Sequence, residues 1–190
     1  NFKNIFPSNF SIKVDSDVRC HLIAEQKFGK CKNINNFIYI NIGSGLSYSH
    51  YRENKIYSGS KGYAIHFASS VISLYDWKKN KKISIIPEEY YSGKDILKIL
   101  KKYKNTNKKN KILINVSESI GSLIANLINS VDPTLVILGG GVISNNLFLK
   151  KNIITFTRKY ILANEVKKIK ILSSKFKDNT GILGSGLLFK

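Results

Sequence analysis

Asp15-Ser16-Asp17 sets two carboxylates around a hydroxyl. Between a strand and a helix, such a carboxylate can take a proton from a substrate hydroxyl while backbone donors hold the geometry. The same residues also suit a helix N-cap, with Ser16 or Asp17 accepting from first-turn N–H groups. Gly43-Ser44-Gly45 reads as the apex of a hairpin whose glycines let the backbone approach a phosphate closely, although a plain tight turn has the same composition. Gly139-Gly140-Gly141 follows a continuous apolar run. Three glycines at the carboxyl end of a buried strand can open a crevice for a base or ribose, or simply turn the chain. Pro87-Glu88-Glu89-Tyr90-Tyr91-Ser92-Gly93 places acids and aromatics before a helix, suited to sugar hydroxyls or to capping. His66 on its own reads more readily as a structural or solvated histidine than as a ligand.

The elements that must position these groups alternate in type, the pattern of an α/β or mixed sheet. We expect a strand at Ser11–Val14, a helix from Val18 to about Phe28 closed by Gly29, and a strand at Phe37–Ile42. A strand at Leu46–Arg52 should turn at Glu53-Asn54 into a hairpin partner at Lys55–Tyr57. Helices are expected at Gly93–Tyr103 and Asn115–Val131, the second stopped by Asp132-Pro133. Thr134–Leu138 reads as a buried strand. A helix from about Asn145 to Leu162, a strand near Ile169–Leu172 and a helix at Thr180–Phe189 complete the pattern.

With 190 residues, 43% of them hydrophobic, the chain can bury one substantial core. Its net charge of +19 invites a nucleic-acid reading. However, of the 31 basic residues only Arg19, Arg52 and Arg158 are arginines, and the lysines crowd into Lys78–Lys82 and Lys101–Lys111. We read those runs as solvated loops rather than a phosphate-reading surface, so nucleic acid is not expected to bind through this portion. No run of about 18 apolar residues is evident, and a cytoplasmic location is expected. Cys20 and Cys31 are too few for a disulfide framework and lack zinc-site spacing. Methionine is absent even at position 1, so a fragment or processed product is expected.

Taken together and in order, these motifs resemble the ROK family of sugar kinases and repressors. Val14-Asp15-Ser16-Asp17 followed by Glu25 and Gly29 is similar to the family's Asn-Asp pair and its helix ending Glu-x-x-x-Gly. Ile42-Gly43-Ser44-Gly45 resembles its phosphate hairpin, and Ile56-Tyr57-Ser58-Gly59-Ser60-Lys61-Gly62 the small-residue segment that follows. Glu88 through Ser92-Gly93, Asn129 through Asp132-Pro133, Gly139-Gly140-Gly141 and the closing Gly181, Gly184 and Gly186 match further motifs.

The resemblance implies an α/β, actin-like ATPase (ribonuclease H-like) fold, with residues 1–190 forming mainly the larger C-terminal lobe. The closing segment 173–190 would pack on an N-terminal lobe preceding Asn1. The implied activity is ATP-dependent phosphorylation of a hexose or amino sugar. Asp17 would be the base; Ser16, His66 and Glu88 would meet the sugar. Gly43, Ser44 and Gly45 would face ATP phosphates, and Gly139, Gly140 and Gly141 the adenosine. ATP with Mg2+ is expected and zinc is not. Partners would be sugar and ATP, within a homo-oligomer (dimer) or with a separate N-terminal lobe.

Departures from the family leave a second reading open, a catalytically degenerate sugar-sensing or transcription-regulatory protein. Ser16 stands where the family has a sugar-binding Asn. Its Glu-x-Gly-His motif is missing: aligned without gaps, His66 replaces the Glu and Ser69 the His, whereas a three-residue deletion would make His66 the family His. Tyr75-Asp76-Trp77 and Lys78–Lys82 replace its cysteine-rich zinc element, and Ser47-Tyr48-Ser49 its glycine-rich continuation of the hairpin. The Asp-x-Gly-Gly-Thr phosphate strand would precede Asn1, so these residues alone are not expected to phosphorylate sugar.

Overall fold

The computed structural model of the chain describes residues 5, 9, 11–176 and 179–189. Its elements run α1 (Asp17–Phe28), β1 (Asn36–Ile42), β2 (Leu46–Arg52), β3 (Lys55–Tyr57), β4 (Ile72–Asp76), β5 (Lys81–Ile85), α2 (Glu88–Tyr91), α3 (Gly93–Lys102), α4 (Thr106–Val131), β6 (Leu135–Gly139), α5 (Gly141–Asn145), α6 (Leu147–Tyr160), β7 (Lys170–Ser173) and α7 (Thr180–Gly186). Five strands form one sheet in the order β3-β2-β1-β6-β7. The meander β1-β2-β3 is antiparallel, whereas β6 lies parallel to both β1 and β7.

β1 and β6 are apolar at almost every position because both faces of the sheet are covered. Phe37, Tyr39, Leu135 and Ile137 point into one layer with Val18 and Leu22 of α1. Ile38, Ile40, Ile42, Val136 and Leu138 point the other way, toward Ile120, Ile124 and Ile128 of α4 and Leu149 and Ile153 of α6. Each fully buried aliphatic side chain of this kind contributes about 1.5–3 kcal/mol. α7 lies on α1, close enough that any side chain at Gly184 would collide with the Cys20 carbonyl.

The Glu-x-x-x-Gly at the end of α1 has a packing explanation. Glu25 is fully buried and accepts from Lys30 N (3.0 Å), Ser174 Oγ (2.7 Å) and Lys175 N (2.6 Å). Its carboxylate fills the space where a side chain at Gly29 would stand. One acid therefore staples the end of α1 to the chain leaving β7.

Several expectations need correction. Ser11–Val14 is not a strand; its residues are exposed and pair with none of the described strands. α4 begins at Thr106 rather than Asn115, since Asn105 caps it by accepting from Lys108 N (3.1 Å) and lysine is a good helix former. The second lysine run thus lies mostly in helices. The expected helix at Asn145–Leu162 is α6, which starts at Leu147 because Asn146 leaves helical geometry and caps it through Leu149 N (3.0 Å); the short α5 before it was not expected. Lys81 and Lys82 belong to β5, which pairs with β4 in a two-stranded hairpin apart from the main sheet. α4 is long and apolar enough to cross a bilayer by length and composition, where no such run was expected; 56% of its most apolar window is buried. Residues 177, 178 and 190 of the closing segment, and Phe10 where the resemblance begins, lie outside the described residues.

Candidate functional site

The parallel pair β1 and β6 carries both glycine turns to the same end of the sheet. At the end of β1, Ile42 pairs with Leu46 across Gly43-Ser44-Gly45, and Gly43 N donates to Gly45 O (3.0 Å). At the end of β6, Gly140 takes a φ of +93°, and a side chain there would run into the Ile42 carbonyl. Glycine at 140 is required twice, by conformation and by the close approach of the two turns. Asn41, 7% exposed, sits between them, against the sites of both Gly43 and Gly140.

A cavity of about 680 Å³ opens beside these turns. Gly43 and Ser44 form one wall and Gly141, Val142 and Asn145 another. Ile96, Leu97 and Leu100 of α3 give it an apolar side, and Lys94, Lys98 and Lys101 put cations on the same helix. Apolar lining with a few polar groups and positive charge suits a planar heterocycle joined to phosphates. No carboxylate lines it among the described residues.

The hairpin is held from behind by the segment Glu88–Gly93. Gly93 N donates to Gly43 O (2.7 Å), and Leu46 N donates to Glu88 Oε1 (2.8 Å). The other Glu88 oxygen accepts from Ser69 Oγ, and Ser69 in turn lies 3.5 Å from His66 Nδ1. Glu88 N donates to Ala68 O (3.0 Å), which brings the two segments side by side. His66 itself is exposed and stacks loosely near Tyr63, with ring centroids 6.2 Å apart.

Asp17 opens α1 with its carboxylate exposed, Oδ1 accepting from Val18 N (2.7 Å). Ser16 occupies the N-cap position, yet its hydroxyl makes no capping bond and is buried without a partner among the described residues; of the two residues expected to accept from first-turn N–H groups, Asp17 does so and Ser16 does not. Asp15 pairs with Arg19 (2.8 Å), whose guanidinium also donates to Gly62 O (2.5 Å). That link ties the Gly59–Gly62 segment to the first turn of α1. His21, one turn beyond Asp17, is held below the ordinary histidine range by burial, against the opposing pull of the Asp17 charge. Burial pushes Cys31 up to about 12 and also raises Cys20, so neither thiol is a nucleophile near neutral pH. No group of three or more His, Cys, Asp or Glu able to hold a metal occurs among the described residues.

The structure therefore gathers Gly43, Ser44 and Gly141 on the cavity, with Gly45 behind them against Glu88. Gly139 and Gly140 are not on its wall; Gly139 is buried in β6, where a side chain would displace the Tyr39 hydroxyl. Ser69, read from sequence only as the residue standing at the family His, and Arg19, not singled out for chemistry, both join the site. A serine nineteen residues from its acid carries no local signal, and Arg19 reads as a surface residue until Gly62 is seen beside it.

This combination of a mixed sheet with covering helices, and glycine turns gathered beside one cavity, is that of the actin-like ATPase fold. The structure of a ROK family glucokinase from Streptomyces griseus, in complex with glucose and AMPPNP, superposes with a TM-score of 0.75 at 18% identity, over 94% of this chain and 68% of that one. The chain belongs to the ROK family, whose model matches residues 7–68 and 70–190. A ROK family transcriptional regulator, homolog of the E. coli MLC protein, has a TM-score of 0.74 at 17% identity, over 95% of this chain and 52% of that one. In sequence the chain is 22% identical over 205 residues to the xylose repressor of Caldicellulosiruptor bescii, covering 93% of this chain but 51% of the repressor. It thus spans about half the length of that relative.

Proposed function

We propose that this chain is the larger lobe of an ATP-dependent sugar kinase of the ROK family, transferring a phosphoryl group from ATP to a hydroxyl of a hexose or amino sugar. The observation that carries this reading is the convergence of the Gly43–Gly45 hairpin and the turn entering Gly141 beside one cavity with an apolar side and lysines. The adenine base would sit against Ile96, Leu97 and Leu100, with the phosphates against Gly43 and Ser44 and the lysines of α3 nearby, Lys98 sharing its charge with Asp95 (2.8 Å). Mg2+ bound with ATP would neutralise the phosphate charge. Asp17 would accept the proton of the attacking sugar hydroxyl, its exposure leaving it free to do so. His66 and Glu88 would orient the ring, and Ser16 would offer it a hydroxyl. Catalysis by this scheme is mostly positioning and charge stabilisation, and it needs the phosphate-binding strand of a second lobe. The setting would be the cytoplasm, where ATP is supplied, and the assembly a dimer.

A second reading, a sugar-sensing regulator without turnover, is favoured by Ser16 in place of the family Asn and by the similarity to a xylose repressor. The two separate in one experiment on the full-length protein, combining thermal shift with coupled ADP release across hexoses, pentoses and amino sugars. Sugar-dependent ADP release that disappears in Asp17→Asn is the expected result for the kinase. Stabilisation by a sugar without ADP release identifies the sensor, and no response to any sugar rejects both.

A further inference from the structure

We propose that Glu88 is a positioning residue for the nucleotide, holding the Gly43–Gly45 hairpin in its phosphate-facing shape before any sugar arrives. The inference rests on the kinase reading and gives Glu88 a role beyond that of a sugar ligand. A three-residue turn with two glycines has little conformational preference of its own. Its shape must be imposed from outside, and both external bonds come from one short segment. Gly93 N fixes the Gly43 carbonyl at one side of the apex, and Glu88 Oε1 takes the Leu46 N–H at the other.

The packing is tight enough to link two sequence motifs. The Glu88 carboxylate occupies the space where a side chain at Gly45 would begin, so any side chain at 45 must push the acid off the hairpin. Ser69 Oγ donates to the second oxygen and fixes the carboxylate's rotation, while the Ala68 carbonyl anchors the Glu88 backbone. A carboxylate offers about four acceptor positions, so two remain for a sugar hydroxyl. The group that would greet the sugar is then also the group that shapes the phosphate site. Through it, sugar and nucleotide affinities become coupled, each raising or lowering the other by the same factor.

The test uses full-length protein in four forms: wild type, Glu88→Ala, Glu88→Gln and Gly45→Ala. Backbone amide exchange across residues 43–46 is followed without ligand, and ADP affinity is measured without sugar. In Glu88→Ala, exchange at Leu46 should accelerate about tenfold or more, the size expected for losing a charge-assisted hydrogen bond, and ADP affinity should fall. Glu88→Gln keeps a carbonyl acceptor for Leu46 and should stay near wild type in both. Gly45→Ala, which pushes the carboxylate aside, should reproduce Glu88→Ala. Unchanged hairpin exchange in Glu88→Ala, or acceleration spread evenly over the whole sheet, overturns the proposal. Absence of ADP binding by the wild type overturns the kinase reading instead, and the exchange data then still decide whether Glu88 holds the hairpin.

Discussion

A buried acid is tolerated only when its oxygens are occupied, and Glu25 shows what that requires. Removing it would orphan the Lys30 and Lys175 N–H groups together and cost the Ser174 hydroxyl one of its partners, Thr180 Oγ1 (3.2 Å) remaining beside it. Glu25→Ala should therefore lower stability by about 2–4 kcal/mol in a denaturant titration, whereas Glu25→Gln, which still accepts, should lose less. Gly29→Ala should resemble the alanine variant, because its methyl group would evict the same carboxylate. Residue by residue, the site itself was only partly legible. Gly140 was readable because its need, a positive φ, is local, whereas the crowding at Gly45 comes from the distant Glu88 and was readable only as a glycine turn. Glu88 was readable as a polar group before a helix, but its hold on Leu46 crosses 42 positions of sequence and no local pattern carries it.

Among the elements, the β1–β2 pair carries a titratable lock. His50 on β2 is 4% exposed, and its Nε2 meets Asn36 Oδ1 of β1 at 2.9 Å. Burial first, and then the Arg52 charge, hold His50 below its ordinary value of 6.5. On acidification the unfolded chain takes up this proton before the folded one. The histidine's contribution is thus complete above pH 6.5 and declines as pH falls below it. Stability measured from pH 7.5 down to 5 should decline, and His50→Gln should flatten part of that slope, with His21 accounting for more of it. α4 offers a separate check: Asn105→Ala removes its cap and should cost about 1 kcal/mol.

β1, β6 and most helices were legible because burial writes apolar runs and faces into their sequences, whereas β4 and β5 were missed because their residues are mostly exposed and carry no such pattern. The first turns of α4 were missed because exposed lysines look alike in a helix and in a loop, the difference being the single cap at Asn105. Ser11–Val14 misled for the opposite reason, since alternation fits a strand whether or not a partner lies beside it.

At the scale of the whole molecule, a charge of +19 on 190 residues makes self-repulsion the main electrostatic effect. Exposed pairs such as Arg52–Glu53 and Lys79–Asp76 contribute little against it. Raising salt from about 0.01 to 0.15 M shortens the screening length from about 30 to 8 Å, so Tm should rise over that range. A Tm that falls instead would mean that attractive pairs outweigh the lysine field.

The β4–β5 hairpin stands off the main sheet, with Leu74, Tyr75 and Trp77 exposed and Lys78, Lys79, Lys81 and Lys82 around its tip. To a trypsin-like protease it is an accessible loop bearing four cleavage sites. A nick there separates β1, β2 and β3 from β6 and β7 in the chain but not in space, because β1 and β6 are hydrogen-bonded neighbours at the centre of the sheet. The two fragments should stay associated after cleavage and part only in denaturant, which would make this hairpin the natural place to split the protein into complementing halves.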